Sequence, residues 1–465
     1  MSGTRHMNLD EVPLRVEHPT RIPARRYYDE EFYRLECERF WPHVWQMACR
    51  LEEIPEIGDW VEYTILDKSV VVMRTAAGIK AFHNACRHRG VRLASGQGNC
   101  AANGFVCPFH GWRWDMDGRN TFVFGRDKFD PEELAAAELA LRPCRVEVWG
   151  GCAFVNFDDE APPLLDFLGP VAARMDARNV GELKVEWWRS AVLPVNWKLA
   201  MEAFVESYHV MATHPQLHEL SVPELLFYGP DGPSSPVPPA QSASARRYVE
   251  LTADYLDKLN EGMAGMVHRS EVEIARSLVG MDLPEGDVGA GIMAFSAKLC
   301  EEITRRGRAR GLPVPDLNQV FARFPPIAVE YLFPNHFLLP MFSAMSSYRI
   351  RPLGPESCLF EIWSLAHLAD DDPREPLTRP EPLRHDDPSF PEIPRQDYAN
   401  LPLQQLGLHA EGFEFMRLSR DVEGMISNYQ RIVDGYLAGI PAEKLAAAAT
   451  IACAGLDSPV ADIGF

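Results

Sequence analysis

Two short pairs of metal-binding side chains constrain this chain more than any other feature. Cys86-Arg87-His88 and Cys107-Pro108-Phe109-His110 each present one thiol and one imidazole within two or three residues, with Arg89 to Val106 between them. Two loop tips of this kind can close on one centre. The surrounding sequence suits such loops: β-type runs at Val61–Ile65, Ser69–Arg74, Ile79–His83 and Val146–Phe157 alternate with Gly, Asn and Asp turn signals. They predict a small all-β domain from about Trp60 to Phe157. Thiolate and imidazole together suit zinc, or an iron–sulfur cluster in which two His replace two Cys on one iron. The residue types leave both open.

The chain has 465 residues, enough for two or three domains, and 46% hydrophobic against 24% charged residues is a globular balance. Its formal charge of −20 would repel a phosphate backbone, so nucleic acid is not an expected partner. No apolar run approaches the roughly 20 residues a membrane span needs, and no apolar signal core lies in the first residues, so a cytoplasmic protein is expected. In a reducing compartment, paired Cys and His point to metal before disulfides. Cys100, in the spacer, has no assigned role.

The rest of the chain mixes helices and strands. Asp29 can cap a helix through Phe32, Leu35 and Phe40. Asp158 to Pro163 is an acidic, Pro-rich boundary. Ser270 and Glu273 form a capping box within the polar stretch Tyr228–Arg310. Ala328–Phe342, Ser346–Pro352 and Cys358–Leu368 read as an antiparallel meander, Asp370–Asp397 as an extended Pro-rich crossing, and Asp421–Leu437 as a last helix. No Gly-rich nucleotide fingerprint is present: Gly96-Gln97-Gly98 lacks its strand and helix.

A second constellation is Glu206-Ser207-Tyr208-His209-Val210-Met211-Ala212-Thr213-His214-Pro215. Glu206 and His209 would share a helical face. His209 and His214, five apart, would diverge by about 140° on a straight helix. Pro215 disfavours the helical region for His214, so the helix should end there and let that imidazole swing round. Two neutral imidazoles plus one carboxylate, with positions left open, is the ligand set of non-haem ferrous oxygenases.

The flanks of both constellations carry a resemblance. Arg89-Gly90 follows Cys-x-His, and Cys107 to Trp112 spells Cys-Pro-x-His-Gly-Trp; both resemble the Rieske family, and a zinc ribbon would leave Arg89-Gly90 and Gly111-Trp112 unexplained. Val91 and Phe109 stand where respiratory Rieske proteins add Cys, so the domain looks like the oxygenase type. Asn196-Trp197-Lys198, Glu202-Ala203-Phe204 and Glu206-x-x-His209-x4-His214 resemble the mononuclear-iron motif of the same family, in the right order downstream. The chain thus resembles the catalytic alpha subunit of a Rieske non-haem iron aromatic ring-hydroxylating oxygenase.

That resemblance implies an α+β protein: an N-terminal arm (1–45), an all-β Rieske [2Fe-2S] domain (46–158) and a catalytic domain (159–465) with a helix-flanked antiparallel sheet of the START, helix-grip kind. It implies Cys86, His88, Cys107 and His110 as cluster ligands. His209, His214 and a distant Asp would hold mononuclear Fe(II); Asp421 fits by its distance to Met425 and Gln430, with Glu423 the runner-up. Glu206, Asp in the best-known ring dioxygenases and Glu in members acting on quaternary amines, would be the inter-subunit electron-transfer bridge, with His110 as cluster-side partner. Pocket candidates are Phe204, Val205, Val210, Met211, Leu217, Met341 and Phe342. Implied too are a homotrimer, a possible beta subunit, O2 as co-substrate, and NADH acting only through a separate flavin reductase or ferredoxin. The implied reaction is hydroxylation of an aromatic or polycyclic small molecule, as in aromatic hydrocarbon catabolism. The alternative is O- or N-demethylation or monooxygenation, including of a quaternary amine.

Overall fold

The computed structural model describes residues 8–214, 216–217, 244–263, 265–369, 377–452, 456 and 458–465. The chain divides into two compact units, Trp41–Leu164 with Arg374–Thr378, and the remainder. The first is all β in its sheets. Seven antiparallel strands lie in the spatial order Gln46–Arg50, Cys152–Asn156, Pro143–Trp149, Gly78–His83, Lys68–Thr75, Asp59–Ile65 and Gln97–Asn99. A three-stranded sheet, Phe105–Val106, Arg113–Trp114 and Asn120–Phe122, carries the second Cys/His loop. Its core includes Val71, Met73, Phe82, Phe105, Trp112 and Trp114 together with Cys86, Cys100 and Cys107. Cys100 is therefore a core residue, and burial pushes its thiol up to about 11. Gly104 (φ +65°) allows the turn into this sheet, because a Cβ there would lie 1.9 Å from the Trp114 carbonyl oxygen.

The second unit is built on a six-stranded sheet in the order Glu330–Leu332, His336–Pro340, Met345–Gly354, Ser357–Ala366, Lys184–Leu193 and Leu383–Arg384. The expected meander is its centre, with every neighbouring pair antiparallel except the last. The Pro-rich segment was expected to remain extended to Asp397. Among its described residues, which begin at residue 377, Leu383–Arg384 adds to the sheet edge in parallel with Ala191–Val192. A helix then begins at Glu392 and runs to Leu408. Pro394 falls in its first turn, where a missing N–H costs nothing, so Pro391 and Pro394 mark a helix start that composition alone disguises. The helix expected after Ser270 runs from Arg269 to Leu278, and its capping box is His268 with Glu271. The last predicted helix starts at Gly424 and ends at Ala438.

Helix Trp197–Glu202 is the buried hub of this unit. The Lys198 ammonium sits 2.7 Å from Glu36, both side chains fully buried. Glu202 accepts hydrogen bonds from the Tyr27 hydroxyl (2.9 Å) and the Gln430 amide (2.5 Å), and Arg26 donates to Gln430 (2.9 Å) and pairs with Asp434. Burial pushes the Glu202 carboxyl up to about 7 against the pull of these partners. The helices of the N-terminal arm and of Gly424–Ala438 are thus tied to the element that leads into the second constellation. Removing one charge of a buried pair leaves the other unpaired, at a cost of about 3–5 kcal/mol. Lys198→Met should therefore lower the denaturation midpoint of this unit steeply, measured by chemical unfolding, while Lys258→Met, at an exposed position of the same unit, should change it little.

Candidate metal centres

Each Cys/His loop of the first unit closes on itself in the same way. The Cys86 amide donates to the Val91 carbonyl (2.8 Å) and the Gly90 amide to the Cys86 carbonyl (2.9 Å). In the second loop the Cys107 amide donates to the Trp112 carbonyl (2.8 Å) and the Gly111 amide to the Cys107 carbonyl (3.0 Å). Gly90 (φ +75°) and Gly111 (φ +71°) occupy the left-handed position that each closure requires, which explains why a Gly follows each pair. The loops bring the Cys86 thiol against the Cys107 thiol, and burial raises Cys86 above its ordinary value. The His88 and His110 rings lie 4.7 Å apart, and His88 stacks on Trp112 at 4.8 Å. His88 Nδ1 is buried without a hydrogen-bond partner. An orphaned imidazole nitrogen beside two buried thiols fits a group held by two Cys and two His.

The second constellation does not form the expected continuous helix. Helix Trp197–Glu202 ends, an irregular turn carries Glu206 and His209, and one helical turn spans Val210–Thr213. The reason is local: Glu206 Oε2 accepts the His209 backbone N–H (3.0 Å), and Oε1 meets His209 Nδ1 at 2.7 Å. Aromatic packing fixes the turn on the sheet, with Phe204 stacked on Phe337 at 4.9 Å and against Tyr348 at 5.4 Å. His214 leaves the helical region (φ −120°, ψ 64°), as the following Pro requires, although Pro215 itself lies outside the described residues.

The carboxylate that the structure brings to the two His differs from the one expected from the sequence. His209, His214 and Asp397 have donor atoms all within 4.8 Å of one another, the sole such group of three among the described residues. Asp397 Oδ1 lies 3.2 Å from His214 Nε2 and 3.7 Å from His209 Nε2. Ligand distances of about 2.1 Å place facial donors about 3–3.5 Å apart; the His214 spacing falls in that range and the His209 spacing just above it, so a small closing movement would seat a metal ion. Asp421 is instead exposed in the turn before the last helix and takes no part in this group. Glu423 also lies outside it; its Oε2 accepts the Ser419 amide at 2.7 Å, and burial with Glu206 nearby raises its carboxyl. Asp397 was hidden because it stands at the end of a Pro-rich stretch; its helix is the signal that Pro391 and Pro394 could have given.

A cavity of about 150 Å³ opens on this group. Phe204, Val210 and Leu217 line it as expected, joined by Tyr255, Leu259, Met263, Met266 and Ile393, which sequence reading missed because they lie on segments distant in the chain. Val205 is buried but does not line the cavity. Met341 and Phe342 do not line it either, and their carbonyls accept from Arg178. The Met211 side chain and residues 228–243 of the polar insert lie outside the described residues. A larger cavity of about 770 Å³, which Glu202 and Glu423 line, also borders on Glu206, His209 and Asp397.

The family model of the ring hydroxylating alpha subunit (catalytic domain) matches residues 180–439, more than half of the chain, and that of the Rieske [2Fe-2S] domain matches 44–123. The chain belongs to the ring-hydroxylating alpha-subunit family. It is a Rieske non-haem iron oxygenase, with a [2Fe-2S] domain and a catalytic domain of the class that binds mononuclear iron. Its relatives differ in substrate. It is 26% identical over 347 residues to the glycine betaine monooxygenase oxygenase subunit of Chromohalobacter salexigens, covering 74% of this chain and 71% of that protein. It is 30% identical over 197 residues to the carnitine monooxygenase oxygenase subunit of Escherichia coli, covering 42% and 52%. It is 34% identical over 220 residues to the benzene 1,2-dioxygenase alpha subunit of Pseudomonas putida, covering 45% and 48%. Naphthalene 1,2-dioxygenase from Rhodococcus shares its fold with a TM-score of 0.62 at 22% identity, over 93% of this chain and 98% of that one. No described helix is long and apolar enough to cross a membrane.

Iron analysis separates the two candidate ligands. Asp397→Ala should lower the iron content from about three to about two per chain with the cluster absorbance unchanged. Asp421→Ala should retain all three.

Proposed function

We propose that this chain is the oxygenase component of a Rieske monooxygenase that removes a methyl group from a small N-methylated substrate, a quaternary amine foremost. The observation that carries this reading is the match to a glycine betaine monooxygenase along three quarters of the chain. Glu206, in place of the Asp of the best-known ring dioxygenases, supports it. So does the cavity: about 150 Å³ suits a small molecule, and Phe204 and Tyr255 offer aromatic faces to a cationic methylammonium group. The described lining contains Glu206 and Asp397 and no Lys or Arg, which favours a positive head group over an anion at that end. Hydroxylation of benzene-type rings is the second reading, favoured by the apolar remainder of the same wall and by the benzene dioxygenase relative.

In this reading His209, His214 and Asp397 hold Fe(II), and Cys86, His88, Cys107 and His110 hold the cluster. An iron held there would supply the reductive activation of O2. The chain's own residues do the rest. Glu206 and Gln396 take the Nδ1 sides of the two imidazoles, leaving each Nε2 for the metal. The buried apolar wall excludes water from the substrate methyl group. Glu206 also serves as the bridge to the cluster of a neighbouring copy in a trimer, with His110 as its partner there, and electrons arrive from NADH through a separate reductase or ferredoxin.

The overall reaction consumes one O2 and one NADH and releases one formaldehyde, one water and the amine lacking one methyl group. Purified protein with NADH and a Rieske-compatible reductase should release formaldehyde with glycine betaine, choline or carnitine, in proportion to O2 consumed. Dihydrodiol formation from benzene or naphthalene, with no formaldehyde from any amine, would overturn the reading. Glu206→Gln should keep both metal centres and lose turnover by about 100-fold.

A further inference from the structure

His209 and His214 are treated unequally by the groups behind them. His209 Nδ1 faces the Glu206 carboxylate at 2.7 Å, whereas His214 Nδ1 faces a neutral amide oxygen, Gln396 Oε1, also at 2.7 Å. Gln396 is in turn clamped by a second amide. Gln216 Nε2 donates to the same Oε1 at 2.8 Å, and Gln396 Nε2 donates back to Gln216 Oε1 at 3.2 Å. In this arrangement the Gln396 nitrogen is engaged by Gln216 and its oxygen faces the imidazole. An acceptor at that position requires Nδ1 to carry the proton and leaves Nε2 bare, on the side where Asp397 Oδ1 lies at 3.2 Å.

Gln396 also immediately precedes Asp397 on helix Glu392–Leu408, so one helical turn sets both a candidate ligand and the orientation of its neighbour. We infer that Gln396, held by Gln216, is a positioning residue that selects the metal-binding tautomer of His214 and aims its Nε2 at the metal site. Glu206 does the same for His209 with a full negative charge, so the site has one strongly polarised imidazole and one that is oriented without added charge. The inference rests on the reading of His209, His214 and Asp397 as the iron site.

The test uses the full chain stripped of mononuclear metal with its cluster intact, titrated with Fe(II) or Co(II) against a competing chelator. Three variants are compared: Gln396→Met, which keeps shape and removes the acceptor; Gln396→Glu, which restores an acceptor; and Gln216→Met, which removes the clamp alone. Gln396→Met should weaken metal binding by about 10–100-fold, and Gln396→Glu should recover most of that loss. Gln216→Met should give a smaller loss. The cluster absorbance and circular dichroism report folding in each. Unchanged affinity in Gln396→Met overturns the inference, as does an equal loss in Gln396→Glu, because a merely structural role for the amide would not be rescued by a carboxylate. Should Gln396→Met fail to fold, an affinity for Gln216→Met equal to the parent's overturns it instead. If the parent itself binds no metal beyond the cluster, the iron-site reading fails, a result distinct from any of these.

Discussion

An imidazole has two nitrogens and, when neutral, one proton, so where that proton sits decides which nitrogen can bind a metal. The catalytic unit depends on settling this twice within one small volume. Glu206 faces one Nδ1 and Gln396 the other, and both Nε2 atoms converge on the Asp397 carboxylate. Everything beneath is arranged to hold those acceptors still. Phe204 packs the turn carrying Glu206 onto the sheet, and Lys198, Glu202 and their partners anchor the helix before it through buried hydrogen bonds and an ion pair. Such a network is costly when incomplete and rigid when satisfied, which is the property a ligand-bearing turn needs.

The cluster unit solves the same problem by a different route. Its two Cys/His pairs lie on loops that share one backbone pattern, each closed by a Cys amide and a Gly in the left-handed region. The pattern holds the thiols by the main chain, with Trp112 stacked on His88 as a hydrophobic backing. One site is set by side-chain acceptors behind its imidazoles, the other by the conformation of the loops themselves.

What could be read in the sequence follows this distinction. The cluster loops are local, so Cys86, His88, Cys107, His110 and their glycines stand out by spacing alone, and the β meander shows through its alternation and turns. His209 and His214 are equally local. Asp397 is not: it reaches the two His through tertiary packing, and a Pro-rich neighbourhood masks the helix that carries it, while Asp421 fits a spacing to Met425 and Gln430 but lies exposed, outside that group. Gln396 and Gln216, 180 residues apart, meet only in the folded chain. The helical face expected for Glu206 and His209 failed for a similar reason, since a carboxylate that takes a backbone N–H competes with helix formation.

The strap before helix Glu392–Leu408 gives Asp397 an unusual tether. Leu383–Arg384 is stitched to the sheet edge, Ser190 reaches the Pro380 carbonyl at 3.4 Å, and the Arg189 side chain grips Ser389. From Ser389 the chain has only seven residues before the carboxylate arrives, most of them already wound. The phase of that helix is therefore set at the sheet border, as the angle of a crank is set by its keyway. Each residue added or deleted between the two would turn the carboxylate by about 100°, so the length of this connection is under the same constraint as the ligand itself.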